Sequence, residues 1–191
     1  MNMNMNLTLA SIFKAMLQIS LLALTAGTAI AQDVVTLKVH HFLPPSSTAH
    51  AKFIVPWCDK IAKESNNRMK CQIYPSMQLG GAPAQLFDQA KDGVADIIWT
   101  VPGYQAGRFT VSEAFELPFI VTSTEKGSRA LWHYATKNAM QEFKGVKPIL
   151  FHLHDGNLLH TARKQIKSLE DFRGAKVRAA TRQSTKMLTA L

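Results

Sequence analysis

The chain has 191 residues, with 22 Lys and Arg against 13 Asp and Glu and a formal charge of +9 at pH 7. That length is enough for one good core, or for one lobe and part of another. A balance this basic suits nucleic acid, an anionic membrane surface or anionic small ligands, but no basic run is interleaved with aromatics, so nucleic-acid binding is not expected.

Residues 1–31 read as an export signal: Lys14 is the only charge before Asp33, residues 15–24 are almost wholly apolar, and Ala29-Ile30-Ala31 fits a small-x-small cleavage site. The apolar run is too short for a comfortable membrane span. The expectation is an exported, periplasmic protein whose mature chain starts at Gln32.

Strand and helix then alternate. Residues 36–42 read as a strand, and 47–65 as a helix with Phe53, Trp57 and Ile61 at i+4 spacing. Asn66-Asn67 makes a turn into a second strand, 69–74. Gly80-Gly81 leads to a helix over 83–92 with Pro83 in its first turn, and 95–101 reads as a buried strand. A longer helix over 124–143 carries Leu131, Ala135, Ala139 and Phe143 on one stripe and stops at Gly145. Residues 148–154 return as a strand, and extended structure resumes over 158–161 beyond Asp155-Gly156-Asn157. Ser168 and Asp171 form a capping pair on a short turn that Gly174 ends. Ala175 to Val177 is extended, and Arg178 stands at the tip of that strand. Residues 182–191 read as a last helix. This rhythm is that of an α/β fold with a central sheet.

Cys58 and Cys71 lack CxxC spacing, which excludes a four-sulfur metal site, and both face the same apolar side, as a disulfide or as two buried thiols. His152 and His154 project to one side of their strand, with Asp155 pointing the other way, so a metal site is not expected. His40 and His41 are read with the same caution. No GxSxG elbow, P-loop or GxGxxG occurs, and Cys58 sits on an apolar stripe, so the chain is not read as an enzyme and no cofactor is expected.

An arginine presents a rigid fork of donors that matches a carboxylate, so Arg178 is the leading candidate for an anionic ligand. Pro102-Gly103 breaks the preceding strand, and the loop beyond it places Tyr104, Gln105 and Arg108 at the carboxyl end of the sheet, the usual ligand position in open α/β folds. Tyr104 offers an apolar wall. Phe42 is assigned to core packing, and Glu116 to a structural role.

Three segments in this order, IYPSMQLGGAPAQLFDQAKDGVADI (73–97), GRFTVSEAFELPF (107–119) and SLEDFRGAKVR (168–178), closely resemble the DctP-type solute receptors of TRAP transporters. The resemblance runs from about residue 36 to the end. It implies a two-lobed periplasmic binding protein of type II-like fold that closes on an organic acid and delivers it to membrane permease subunits, as a monomer or weak dimer. It also implies that Arg178 clamps the ligand carboxylate, with Arg108, Gln105 and Tyr104 in the cleft, and that nearby Arg173 and Arg182 face solvent. Ala179-Ala180 replaces the Val-Pro-like pair that often follows the family arginine. Members of that family are much longer, so the expectation is a truncated chain. Residues 32–155 would then be a largely present first lobe, and 156–191 a hinge and the start of an incomplete second one. The rival readings are a receptor of an ATP-driven transporter and an exported metal-dependent hydrolase.

Overall fold

β1 (Val35–His41) is paired along both edges by parallel neighbours, giving a three-stranded sheet of order β2-β1-β3 among the described residues. The computed structural model describes residues 33–162 and 164–191, so the export-signal reading of residues 1–31 lies outside them. Residues Val35–Leu191 make one compact unit. β2 (Met69–Tyr74) runs beside β1 from Val35↔Met69 to His40↔Tyr74, whereas β3 (Ile97–Trp99) meets only the last part of β1, from Val39↔Ile97 to His41↔Trp99. β3 is thus shorter than the expected 95–101. At its start the Asp96 carboxylate accepts from the Lys38 backbone N–H at 2.7 Å, and Pro102, which cannot donate to a ladder, opens a 3-10 turn at its end.

The first crossover begins with a π-helical turn, His50–Ile54, that continues into α1 (Val55–Glu64). Pro56 has no N–H, and its ring would press on the carbonyl four residues back, so the wider turn relieves a clash that an unbroken α-helix would carry. The expected stripe is accordingly rotated. Ile54 and Cys58 are buried, Trp57 and Ile61 flank them, and Phe53 is 41% exposed with its edge against Trp99. Cys58 and Cys71 are joined in a disulfide between α1 and β2, resolving the two sequence readings in favour of the bond. Around it pack Val39, Ile54, Trp57, Ile73, Ile97 and Trp99.

A second cluster forms on the other crossovers. α2 (Leu86–Lys91), entered through a 3-10 turn at Pro83–Gln85, contributes Phe87, and α3 (Thr124–Asn138) contributes Leu131 and Ala135. A 3-10 turn, Met140–Phe143, extends the same face, so Ala139 and Phe143 are buried as the i+4 pattern predicts. Phe109 fills the middle of the cluster, 5.0 Å from Phe87 and 5.1 Å from Phe143 between ring centroids.

Two expected strands, 148–154 and 175–177, are not formed. Over 148–154, Phe151 and Leu153 pack on the second cluster while His152 and His154 are exposed. The alternation is real, but no neighbouring strand pairs with it, and Leu153 N–H donates instead to Ser128 Oγ at 2.9 Å. Residues 158–161 and 175–177 are likewise unpaired and mostly exposed. The turn before Gly174 is present as a 3-10 helix, Glu170–Phe172, where the Asp171 carboxylate accepts from the backbone N–H of Lys167 and Ser168. Gly174, at φ 71°, then redirects the chain, a conformation that side-chain-bearing residues adopt at a cost. The last helix, α4 (Arg182–Ala190), is formed as expected.

The disulfide closes a loop of sequence separation 13. Replacing both cysteines by serine is expected to lower unfolding free energy by about 3 kcal/mol, the stabilisation typical of so short a loop. Urea titration of the oxidised protein against the double variant measures it, and equal midpoints would contradict it.

Candidate functional site

The carboxyl ends of β1 and β3 lie side by side, at the point where the order 2-1-3 sends successive crossovers to opposite sides of β1. Such switch points leave a crevice in open α/β sheets. At the carboxyl end of β1 stand two adjacent histidines, His40 and His41, both fully buried. The Leu79 backbone N–H donates to His40 Nε2 at 3.4 Å, which leaves the proton on Nδ1, and Nδ1 donates to Gln89 Oε1 at 2.8 Å. His41 holds the opposite tautomer: Leu43 N–H donates to its Nδ1 at 3.1 Å, and its Nε2–H donates to His50 Nδ1 at 2.9 Å. Burial pushes the His40 imidazole below its ordinary value, against the Gln89 hydrogen bond. Burial, reinforced by His50 and His40, pushes His41 down to about 4. These rings are neutral connectors that tie β1 to the loop before α2 and to the π turn. Among the described residues, no three His, Cys, Asp or Glu are grouped to hold a metal ion.

The loop after β3 carries three of the four candidate residues. Tyr104 is half-buried and meets Phe42, also half-buried, edge to face, with centroids 5.5 Å apart. Gln105 and Arg108 turn toward α2. Arg108 Nη1 donates to Asp88 Oδ1 at 2.6 Å and to Gln105 Oε1 at 3.0 Å, and its guanidinium stacks 4.2 Å above the Phe87 ring. Gln105 Nε2 donates to Asp88 Oδ2 and to the Ala84 carbonyl. The Arg108 guanidinium beside Asp88 holds that carboxyl below its ordinary range. One face of Arg108 is therefore committed to fastening the loop.

Beyond this loop the 3-10 turn Ser112–Glu116 is capped from outside. Glu142 accepts from the backbone N–H of Val111 at 2.6 Å and of Ser112 at 3.0 Å, filling the place of the missing turn. Glu116, as expected, is structural: a Cβ on Gly103 would overlap its carboxyl group, so this close approach needs a glycine. Burial pushes the Glu116 carboxyl up, against hydrogen bonding from Thr181 and the Gly103 backbone.

α4 packs against the turns Pro102–Tyr104 and Ser112–Glu116. Arg182, in its first turn, does not face open solvent. Its Nη2 donates at 2.8 Å to Oε2 of Glu113, a carboxylate only 3% exposed. Arg178 is exposed, on an unpaired segment rather than at a strand tip, and makes no ion pair among the described residues. Three residues separate it from Arg182, a span of four steps, so it stands within about 14 Å of the start of α4 along the chain. The structure thus brings Gln105 and Arg108 together with Asp88, and Tyr104 with Phe42. The Glu113–Arg182 contact joins residues 69 apart and has no local sequence signal.

Residues 39–191 match the family model of the bacterial extracellular solute-binding proteins, family 7 (DctP). A TRAP solute-binding protein from Rhodoferax ferrireducens, solved with copurified benzoate, is 51% identical over 82% of this chain and 48% of its own, with a TM-score of 0.78. A marine metagenome TRAP solute-binding protein specific for aromatic acid ligands, solved with 3-hydroxybenzoate, is 48% identical over 82% of this chain and 49% of its own, also at 0.78. A TRAP periplasmic solute-binding protein from Bordetella bronchiseptica, with bound (R)- and (S)-mandelate, is 29% identical over 82% and 50%, at 0.72. The chain spans about half the length of these relatives, and all three are solute-binding receptors rather than enzymes.

The buried, neutral His41 generates a pH prediction. Its folded-state value of about 4 lies below the ordinary 6.5, so the unfolded chain takes up the proton first. The stability it contributes is complete above pH 6.5 and is lost as pH falls toward 4. Unfolding free energy is expected to be about 2 kcal/mol lower near pH 5 than near pH 7.5 from this ring alone, with His40 acting in the same direction. Urea titrations at both pH values check it, and His41→Gln should shrink the difference. A wild-type protein equally stable at both would contradict it.

Proposed function

Since the chain belongs to the bacterial extracellular solute-binding proteins of family 7, we propose that it is the ligand-capturing receptor of a TRAP transport system, acting on an aromatic monocarboxylate in the periplasm. The observation that carries the reading is the half-buried Phe42–Tyr104 pair just beyond the carboxyl ends of β1 and β3, an aromatic face on the turn against which α4 packs. A flat aromatic ring packs well against ring edges and faces. The relatives at 48% and 51% identity were solved with 3-hydroxybenzoate and benzoate, which supports this ligand class.

In this reading Arg178 is the carboxylate clamp. It is exposed and free of any ion pair among the described residues, so its fork is available to a ligand. Arg108 has Nη1 committed to Asp88 and Gln105 and takes a supporting place, fastening the loop that carries Tyr104 rather than offering a full fork. The division of the receptor into lobes near Asp155, the closure of those lobes over the acid and the hand-over to permease subunits belong to the same proposal. The exported-hydrolase alternative would be favoured by stoichiometric zinc in the purified protein.

Calorimetry with benzoate on the full-length protein that contains these residues tests the assignment. Removing one side of a desolvated charge pair typically costs about 2 to 5 kcal/mol, so Arg178→Ala is expected to raise Kd roughly 30-fold to several-thousand-fold. Arg178→Lys should recover part of this, because an ammonium keeps the charge and loses the fork. Arg173→Ala, at an exposed turn position, is the control. An Arg178→Ala protein that binds benzoate within about threefold of the parent would refute the clamp.

A further inference from the structure

We infer that Glu113 and Arg182 are positioning residues for ligand binding, an ion pair between a buried carboxylate and a half-exposed guanidinium that sets where Arg178 stands; the inference rests on the carboxylate-clamp reading above. The span that carries Arg178 is weakly held by itself. Between Ala175, whose N–H reaches the Phe172 carbonyl, and Thr181, no backbone hydrogen bond is made among the described residues, and residues 175–178 are exposed. A guanidinium on such a segment would sample many positions, and a clamp that must first be ordered loses affinity to that entropy.

What restrains the segment lies at its carboxyl end. Thr181 and Ser184 form a reciprocal cap: Ser184 N–H donates to Thr181 Oγ1 at 3.3 Å, and Thr181 N–H donates to Ser184 Oγ at 2.9 Å. This fixes the direction in which the chain enters α4. The next residue, Arg182, anchors that entry to the turn Ser112–Glu116 through Glu113. Glu113 is 3% exposed, and its second oxygen, Oε1, has no hydrogen-bond partner. Arg182 is its one ion-pair partner among the described residues, so leaving it unpaired would strand a buried charge. That dependence makes the contact a locating pin for α4.

The turn receiving the pin is itself fixed. Its first N–H groups are held by Glu142, and Glu116, at its last position, packs on Gly103 beside Tyr104. Arg182 therefore references Arg178 to the same rigid body that carries the aromatic wall. A ligand whose ring meets Phe42 and Tyr104 and whose carboxylate meets Arg178 senses the distance between the two, and the Glu113–Arg182 pair sets that distance.

A double-mutant cycle with benzoate as probe, on the full-length protein containing these residues, separates positioning from general stabilisation. Kd is measured for the parent, Glu113→Gln, Arg178→Ala and the double variant, with near-ultraviolet circular dichroism checking that each is folded. Glu113→Gln is expected to weaken benzoate at least 10-fold in the parent and less than twofold in the Arg178→Ala background. Arg182→Lys, which keeps the charge, should fall between parent and Glu113→Gln, and it replaces Glu113→Gln in the cycle if that variant does not fold. Equal weakening in both backgrounds, or none in the parent, overturns the positioning role alone. If Arg178→Ala binds as the parent does, the clamp assignment fails first and this inference falls with it.

Discussion

The pairing of β1 on both of its edges is the constraint from which the rest follows. Over Val39–His41 a parallel neighbour on each side satisfies the backbone groups without water, and the three strands then end at the same side of the sheet. The carboxyl end of β1 is so deeply covered that two histidines occupy it with no solvent exposure. A buried imidazole remains neutral and needs a partner for each nitrogen, and both rings find them in adjoining segments. The sheet therefore reaches outward through these rings and holds the segments beyond the carboxyl ends of its strands.

Those segments are fastened by charge as well as by apolar contact. Arg108 is a case of a residue whose two capacities are used at once: its plane lies on the Phe87 ring while its Nη1 meets Asp88. Glu142 plays a comparable part at the turn before Glu116, where a carboxylate delivered from the end of α3 stands in for the carbonyls that a longer helix would supply. Neither arrangement adds much to the apolar core. Each removes conformations from the loop it fastens, and a loop ordered in advance loses less entropy on any later contact.

The helices were legible because their signals are local. The spacing of Leu131, Ala135, Ala139 and Phe143 places one stripe on the core, and the structure buries all four. The existence of β1 and β2 was legible for the same reason. What local pattern lacks is the identity of a strand's partner. Residues 148–154 alternate as a strand would, with Phe151 and Leu153 inward, yet they pack without pairing. Site residues divide similarly. Tyr104, Gln105 and Arg108 follow a strand-breaking Pro-Gly and are readable as a loop at the sheet end, but the preference of Arg108 for Asp88 depends on a helix 20 residues earlier. Arg182 reads as a solvated surface arginine because its partner, Glu113, lies 69 residues away in sequence.

The π turn at His50–Ile54 has a consequence for how the disulfide forms. A π turn inserts one residue into a helix, which rotates everything after it by about 100° relative to an uninterrupted α-helix. In the observed phase, Cys58 faces β2 and its Cα stands 5.6 Å from that of Cys71. Without the inserted residue the thiol would be carried round toward the flank of the helix, out of reach of β2. Oxidation of this pair is thus a report on helix phase. A chain that folded α1 one residue out of register would retain two thiols, open to the disulfide-exchange chemistry that acts on misfolded proteins. Through this one irregular turn, the redox chemistry of an oxidising compartment can distinguish a correctly wound crossover from an incorrectly wound one.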